Sequence, residues 1–154
     1  MATLKQVPVV TSDMLVRRPV EEVFEAFVDP AITTKFWFTK SSGRLEEGKN
    51  VRWEWEMYGV ADDIHVQEMK PGRLIRIASS DNTVTEWRFT PRTDTETLVS
   101  ITHSGFTGSG DEMVSYAIDS MGGYTMVLCA LKALLEHNVI LTVVADKAPD
   151  SHVD

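Results

Sequence analysis

In the stretch Val51-Arg52-Trp53-Glu54-Trp55-Glu56-Met57-Tyr58, Val51, Trp53, Trp55 and Met57 alternate with Arg52, Glu54, Glu56 and Tyr58. A period of two puts the first set on one face of a strand and the second on the other, so the stretch reads as a strand with one buried face. Toward the C-terminus a weaker strand runs from Val60 to Met69 and ends at the turn Lys70-Pro71-Gly72. Leu74 to Ala78 follows, then the turn Ser80-Asp81-Asn82. Trp87 and Phe89 next alternate with Glu86 and Arg88, Thr93-Asp94-Thr95 turns the chain, and Leu98 to His103 closes the series. Short strands joined by turns describe an antiparallel meander.

Both flanks change period. Val9 to Arg17 reads as a first strand, and Pro19 suits the first turn of a helix, where its missing N–H costs nothing. Val20, Val23, Phe24 and Phe27 recur at helical spacing. Asp29-Pro30 breaks that helix, and Ile32 with Phe36 or Trp37 suggests a second short one. Beyond the glycine-rich loop Gly105 to Gly110, Ser109 and Glu112 have the spacing of a capping box. The helix they open runs to about Asn138, with Tyr124, Leu128, Leu131 and Leu135 as its buried stripe. Gly122-Gly123 interrupts it, marking a bend or a close approach of another element. Val139 to Ala145 reads as strand or coil, and the end from Pro149 is expected to fray.

The 154 residues suit one domain, over 9–148, between an N-terminal tail (1–8) and the frayed tail (149–154). Apolar residues at 43% and charged residues at 25% exclude disorder. The net charge is −8, with 1–40 and 71–110 neutral, 41–70 at −3 and 111–154 at −5. No segment carries a basic stripe, which argues against nucleic acid and anionic membrane surfaces as partners. The single cysteine, Cys129, sits in the apolar run 126–131 and is expected to be a buried thiol. Without a signal-peptide pattern or an apolar run long enough to span a bilayer, the expected location is the cytoplasm, with no membrane insertion.

Arg18-Pro19-Val20-Glu21-Glu22-Val23-Phe24 resembles the entry into the first helix of the START and birch-pollen-allergen (SRPBCC) superfamily. Thr85-Glu86-Trp87-Arg88-Phe89-Thr90-Pro91 resembles its central strand. Ser120-Met121-Gly122-Gly123-Tyr124, continuing through Leu131 to Asn138, is similar to the closing helix of one branch, the C-terminal domain of the activator of the heat-shock-protein-90 ATPase. The resemblance covers roughly 9–148. It implies an α+β helix-grip fold, a curved antiparallel sheet wrapped around a long C-terminal helix, with two short helices after the first strand. It further implies a cavity between sheet and helix, a homodimer, a chaperone-ATPase partner and a place in the stress response.

The candidate site residues follow from patterning. Phe36, Trp37, Trp53, Trp55 and Tyr124 are large rings able to line an apolar pocket, and Met57, Met113 and Met121 would make it adaptable. His103 shares a phase with Val99 and Ile101 and should point inward, to orient a ligand or act as acid–base. Asp62 and Asp63 must point to opposite faces of their strand, so one of them enters the cavity. Glu54 and Glu56, with Arg52 beside them, belong on the outer face. His65, His103, His137 and His152 share no metal-ligand spacing, so neither a metal nor a cofactor is expected. Three functions remain open: binding of a small, largely apolar molecule; a polyketide-cyclase- or hydrolase-like enzyme using the same cavity through His103, Asp62 or Asp63; and an interaction module for a chaperone ATPase.

Overall fold

The computed structural model describes residues 4–154. Seven strands form one antiparallel sheet in the order β1-β7-β6-β5-β4-β3-β2. They are β1 Val10–Val16, β2 Lys40–Ser41, β3 Asn50–Trp55, β4 Val60–Lys70, β5 Leu74–Ala78, β6 Val84–Thr93 and β7 Glu96–Ser104. Chain neighbours β3 to β7 pair in sequence, as the meander requires, while β1 crosses to the far edge beside β7. The helices are α1 Val20–Val28, α2 Pro30–Thr33, α3 Gly110–His137 and α4 Val143–Asp146. This is the α+β helix-grip arrangement. The short strand β2 and the short helix α4 had no periodic signal to reveal them.

The inner face of the sheet carries Val16, Val51, Trp53, Ile64, Val66, Ile75, Ile77, Trp87, Phe89, Val99 and Ile101, all buried. Against them α3 packs Val127, Leu128, Ala130, Leu131 and Leu134, and α1 packs Val23, Phe24 and Phe27. Burying each such large side chain contributes about 1.5–3 kcal/mol. Phe27 meets Phe89, Trp87 and Phe36 within 6 Å between ring centroids. The outer face is charged: Arg76 bridges Glu68 and Glu86, Lys40 pairs with Glu54, and Arg52 pairs with Asp63 at 3.1 Å. The expected capping box forms, with the Glu112 N–H donating to Ser109 Oγ at 3.1 Å.

Three expectations need correction. The alternation through Met57 stops at Trp55, because Glu56–Tyr58 is a 3-10 turn closed by Gly59 at φ +63°. Cys129 is exposed. It shares a helical face with Met121 and Thr125, four residues apart each, and that face looks to solvent while Leu128 and Leu131 fill the core. Residues 149–154 are tied back rather than frayed. Pro149–Ser151 forms a 3-10 turn, the Val153 N–H donates to Met57 O at 2.9 Å, and His152 Nε2 donates to Ala145 O at 2.7 Å.

The two halves of α3 differ. Its C-terminal half is the core helix, whereas Val114, Tyr116, Ile118 and Met121 in its N-terminal half are exposed, Ile118 to 69%. Among the described residues α3 alone is long and apolar enough to cross a membrane by length and composition, and a third of its most apolar stretch is buried.

Candidate functional site

Where the N-terminal half of α3 diverges from β3 and β4, a cavity of about 590 Å³ opens. Its floor is aromatic. Trp37 lies just past α2, and α2 is locked to α1 by Thr33, whose hydroxyl donates to Ala26 O at 2.6 Å. The Trp37 ring stands 4.9 Å from Trp53, 6.1 Å from Trp55 and 5.9 Å from Tyr124. Trp53 and Trp55 come from β3, and Asp62 and Val60 are their cross-strand partners on β4. The helix side presents Tyr116, Asp119, Ser120, Gly123, Tyr124, Met126 and Val127. Spacings of three and four residues put these on one face.

The far end is polar and internally satisfied. His103 is 5% exposed, with Nδ1 2.7 Å from Ser120 Oγ and Nε2 2.9 Å from Thr83 Oγ1. Thr83 Oγ1 donates to Asp81 Oδ1 at 2.6 Å, so its hydroxyl must accept from His103 Nε2–H. Nδ1 therefore accepts the Ser120 hydroxyl proton. Tyr116 Oη closes the chain by donating to Asp81 Oδ2. Burial lowers the His103 pKa from its ordinary value against the attraction of Asp81 and Asp62, which keeps the ring neutral. Burial also pushes the Tyr124 phenol up to about 12, and its hydroxyl lies 3.1 Å from Thr85 Oγ1. The Tyr116 phenol is raised by burial and by Asp81. The Trp87 indole N–H, deeper in the core, is a buried polar atom without a hydrogen-bond partner.

One wall comes from the segment after α3. Asn138, at φ +53°, turns the chain back, and Val144, Lys147 and Ala148 line the cavity. Tyr58 Oη on the β3–β4 turn donates to the Val144 and Ala145 carbonyls, holding this segment as a strap. The paired glycines of α3 have different surroundings. A Cβ on Gly122 would come within 3.1 Å of the Lys147 ammonium, whereas one on Gly123 would meet nothing within 4 Å and would enter the cavity.

Of the residues expected at the site, the cavity brings together Trp37, Trp53, Trp55, His103, Tyr124 and Asp62. Phe36 is buried against Phe27 instead, 5.4 Å between centroids. Met57 lies on the 3-10 turn, Met113 lies nearer the start of α3, and Met121 is exposed; none of the three lines the cavity. Asp63 points outward to Arg52. Tyr58, Tyr116, Ser120 and Lys147 were missed. The four-residue spacing of Tyr116, Ser120 and Tyr124 was a usable signal, but Tyr58 and Lys147 reach the site only through the strap. Among the described residues no group of three or more His, Cys, Asp or Glu could hold a metal. A larger hollow, about 860 Å³, lies between α1 and the β4–β5 turn, but there Arg44 and Glu25 already pair with each other.

A curved sheet gripping one long helix around a partly aromatic cavity defines a helix-grip protein. Residues 17–136 match the family described as Activator of Hsp90 ATPase homolog 1-like protein, and the chain belongs to that family. The strap lies beyond the matched residues. The chain is 30% identical to protein SSP2350 from Staphylococcus saprophyticus, whose crystal structure superposes with a TM-score of 0.76, covering 87% of this chain and 96% of that one. The Aha1 dimer from Colwellia psychrerythraea is 18% identical with a TM-score of 0.71, over 84% and 97% of the two chains. CalU16 from Micromonospora echinospora is 17% identical with a TM-score of 0.70, over 93% and 83%. These last two are alike in fold. Among curated proteins none matches.

Proposed function

We propose that the protein binds a small, largely apolar molecule in the cavity between the sheet and α3. The observation that carries this reading is the open volume of about 590 Å³ between sheet and α3, beside Trp37, Trp53, Trp55 and Tyr124. Volumes of roughly 300–1,000 Å³ suit small organic ligands, and apolar burial at about 25 cal/mol per Å² supplies the affinity. Binding is favoured over acid–base catalysis because both nitrogens of His103 are engaged by Ser120 and Thr83. The exposed, unpaired thiol of Cys129 supports a reducing, cytoplasmic setting.

Native mass spectrometry of freshly purified protein, before and after denaturation, tests the reading. A stoichiometric small molecule should be retained natively and released on unfolding. Gly123→Leu, which fills the cavity without meeting a neighbour at Cβ, should yield the bare mass. Retention of the same molecule by that variant would sink the cavity assignment. A second reading, contact with a larger chaperone ATPase, rests on the exposed Val114, Ile118 and Met121 of α3. A pull-down with purified chaperone that recovers nothing removes it.

A further inference from the structure

Most polar groups around the cavity are bonded to one another. His103, Ser120, Thr83, Asp81 and Tyr116 form one chain, Tyr124 faces Thr85, and Tyr58 holds the strap. Asp62 differs. It lies between Val60 and Ile64 on β4, opposite Trp53, on the face that is otherwise apolar along β3 and β4. Among the described residues it is the one carboxylate on the inner face of the sheet. Its Oδ1 accepts from Ser80 N at 3.1 Å and Ser80 Oγ at 2.7 Å, while Oδ2 has no hydrogen-bond partner among the described residues. Its side chain lines the cavity.

Asp119 adds a second carboxylate on the helix side. The lining cation, Lys147, rests its ammonium over Gly122, which does not line the cavity. A carboxylate oxygen without a hydrogen-bond partner among the described residues, in a cavity lined by three indoles and a phenol, is a combination that selects positive charge. Indole attracts a cation more strongly than other rings do, and a carboxylate accepts a charge-assisted hydrogen bond from an ammonium.

We propose that the cavity takes an organic amine, its apolar body against Trp37, Trp53, Trp55 and Tyr124 and its ammonium donating to Asp62 Oδ2. This deepens the binding reading above and rests on it. The amine ligand forms no covalent bond, and the His103 chain serves as the fixed polar end of the site.

The test uses the intrinsic fluorescence of the full chain, since three of its four tryptophans line the cavity. The probes are phenylbutylamine, phenylbutanol and phenylbutanoate, which share one apolar body. The amine should bind roughly tenfold tighter than the alcohol, the ratio that cation–π and carboxylate contacts of about 1.4 kcal/mol together supply. The carboxylate should bind weakest. Asp62→Asn should bring the amine down to the affinity of the alcohol and leave the alcohol unchanged, and Asp62→Glu should restore part of the preference. Equal binding of amine and alcohol to the parent protein overturns the proposal. So does tightest binding by the carboxylate, lost in Lys147→Met, which would give the polar role to Lys147. Saturable binding by none of the three overturns the cavity reading itself. Because the amine-to-alcohol ratio is read on the parent protein, the proposal stays testable even if Asp62→Asn does not fold.

Discussion

The two ends of the space between sheet and helix are built from the same residue classes and reach opposite results. At one end Trp87, Phe89, Phe24, Phe27, Leu128 and Leu131 are buried, and the rings of Phe24, Phe27, Trp87 and Phe89 pack edge to face or tilted within 6 Å. At the other, Trp37, Trp53, Trp55 and Tyr124 surround about 590 Å³. The difference lies in the helix. Toward its C-terminus α3 offers leucines to the sheet, but at the cavity it offers Gly123, which has no side chain to fill the gap, among Tyr116, Ser120 and Tyr124. A fold can keep a dense core and an open site together because packing is decided turn by turn along the element.

Substitutions can break or sharpen this contrast. Leu131→Ala at the packed end should cost about 2–5 kcal/mol in denaturant unfolding, since the surrounding rings cannot collapse into the hole. Trp55→Ala at the open end should cost about 1 kcal/mol, and equal losses at the two positions would erase the distinction. His103→Leu comes next. It strands the buried Ser120 hydroxyl, while Thr83 still donates to Asp81, and a buried unpaired group costs about 1–3 kcal/mol.

The same histidine gives a pH signature. Its folded-state pKa lies below the ordinary value of 6.5, so the unfolded chain takes up a proton that the native state resists. The His103 contribution is fully present above about pH 6.5 and is lost as pH falls through the folded value. Urea midpoints measured down the acid range should fall more steeply for the parent than for His103→Gln. At the alkaline extreme the sign reverses for Tyr124, whose neutral phenol is stabilised to about pH 12. That contribution is complete below pH 10 and disappears through 12, so an absorbance titration should lose its tyrosine step near pH 12 in Tyr124→Phe. The smallest effect is Gly123→Ala, which should stabilise the apo protein by up to about 1 kcal/mol through helix propensity while narrowing the cavity. A loss of stability there would mean that Gly123 is not in open space.

Legibility followed the range of the interaction. Alternation along β3, β6 and β7, the helical stripe of α1 and the Ser109–Glu112 cap are local, and each appears where its pattern placed it. Register carried the pattern a step further: inward His103 followed from Val99 and Ile101, and the structure resolves Asp62 from Asp63 by setting Asp62 opposite Trp53. The methionines failed for a local reason, the 3-10 turn after Trp55, and for a distant one, the direction in which the start of α3 leaves the sheet. Lys147 and Tyr58 carried no motif, because their part depends on a chain reversal at Asn138 and on hydrogen bonds across 86 and 87 residues.

By itself the sequence determined the order and type of the main elements, the side of the sheet that is buried, and the rings available to a pocket. Periodicity encodes these within a few residues, and the helix-grip family follows from their order. Only the tertiary structure decided that α3 parts from the sheet beside Trp37, Trp53 and Trp55, that the strap walls the gap, and that Asp62 keeps one oxygen free within it. Those outcomes depend on which distant surfaces meet and how much volume they leave, quantities that no local pattern contains.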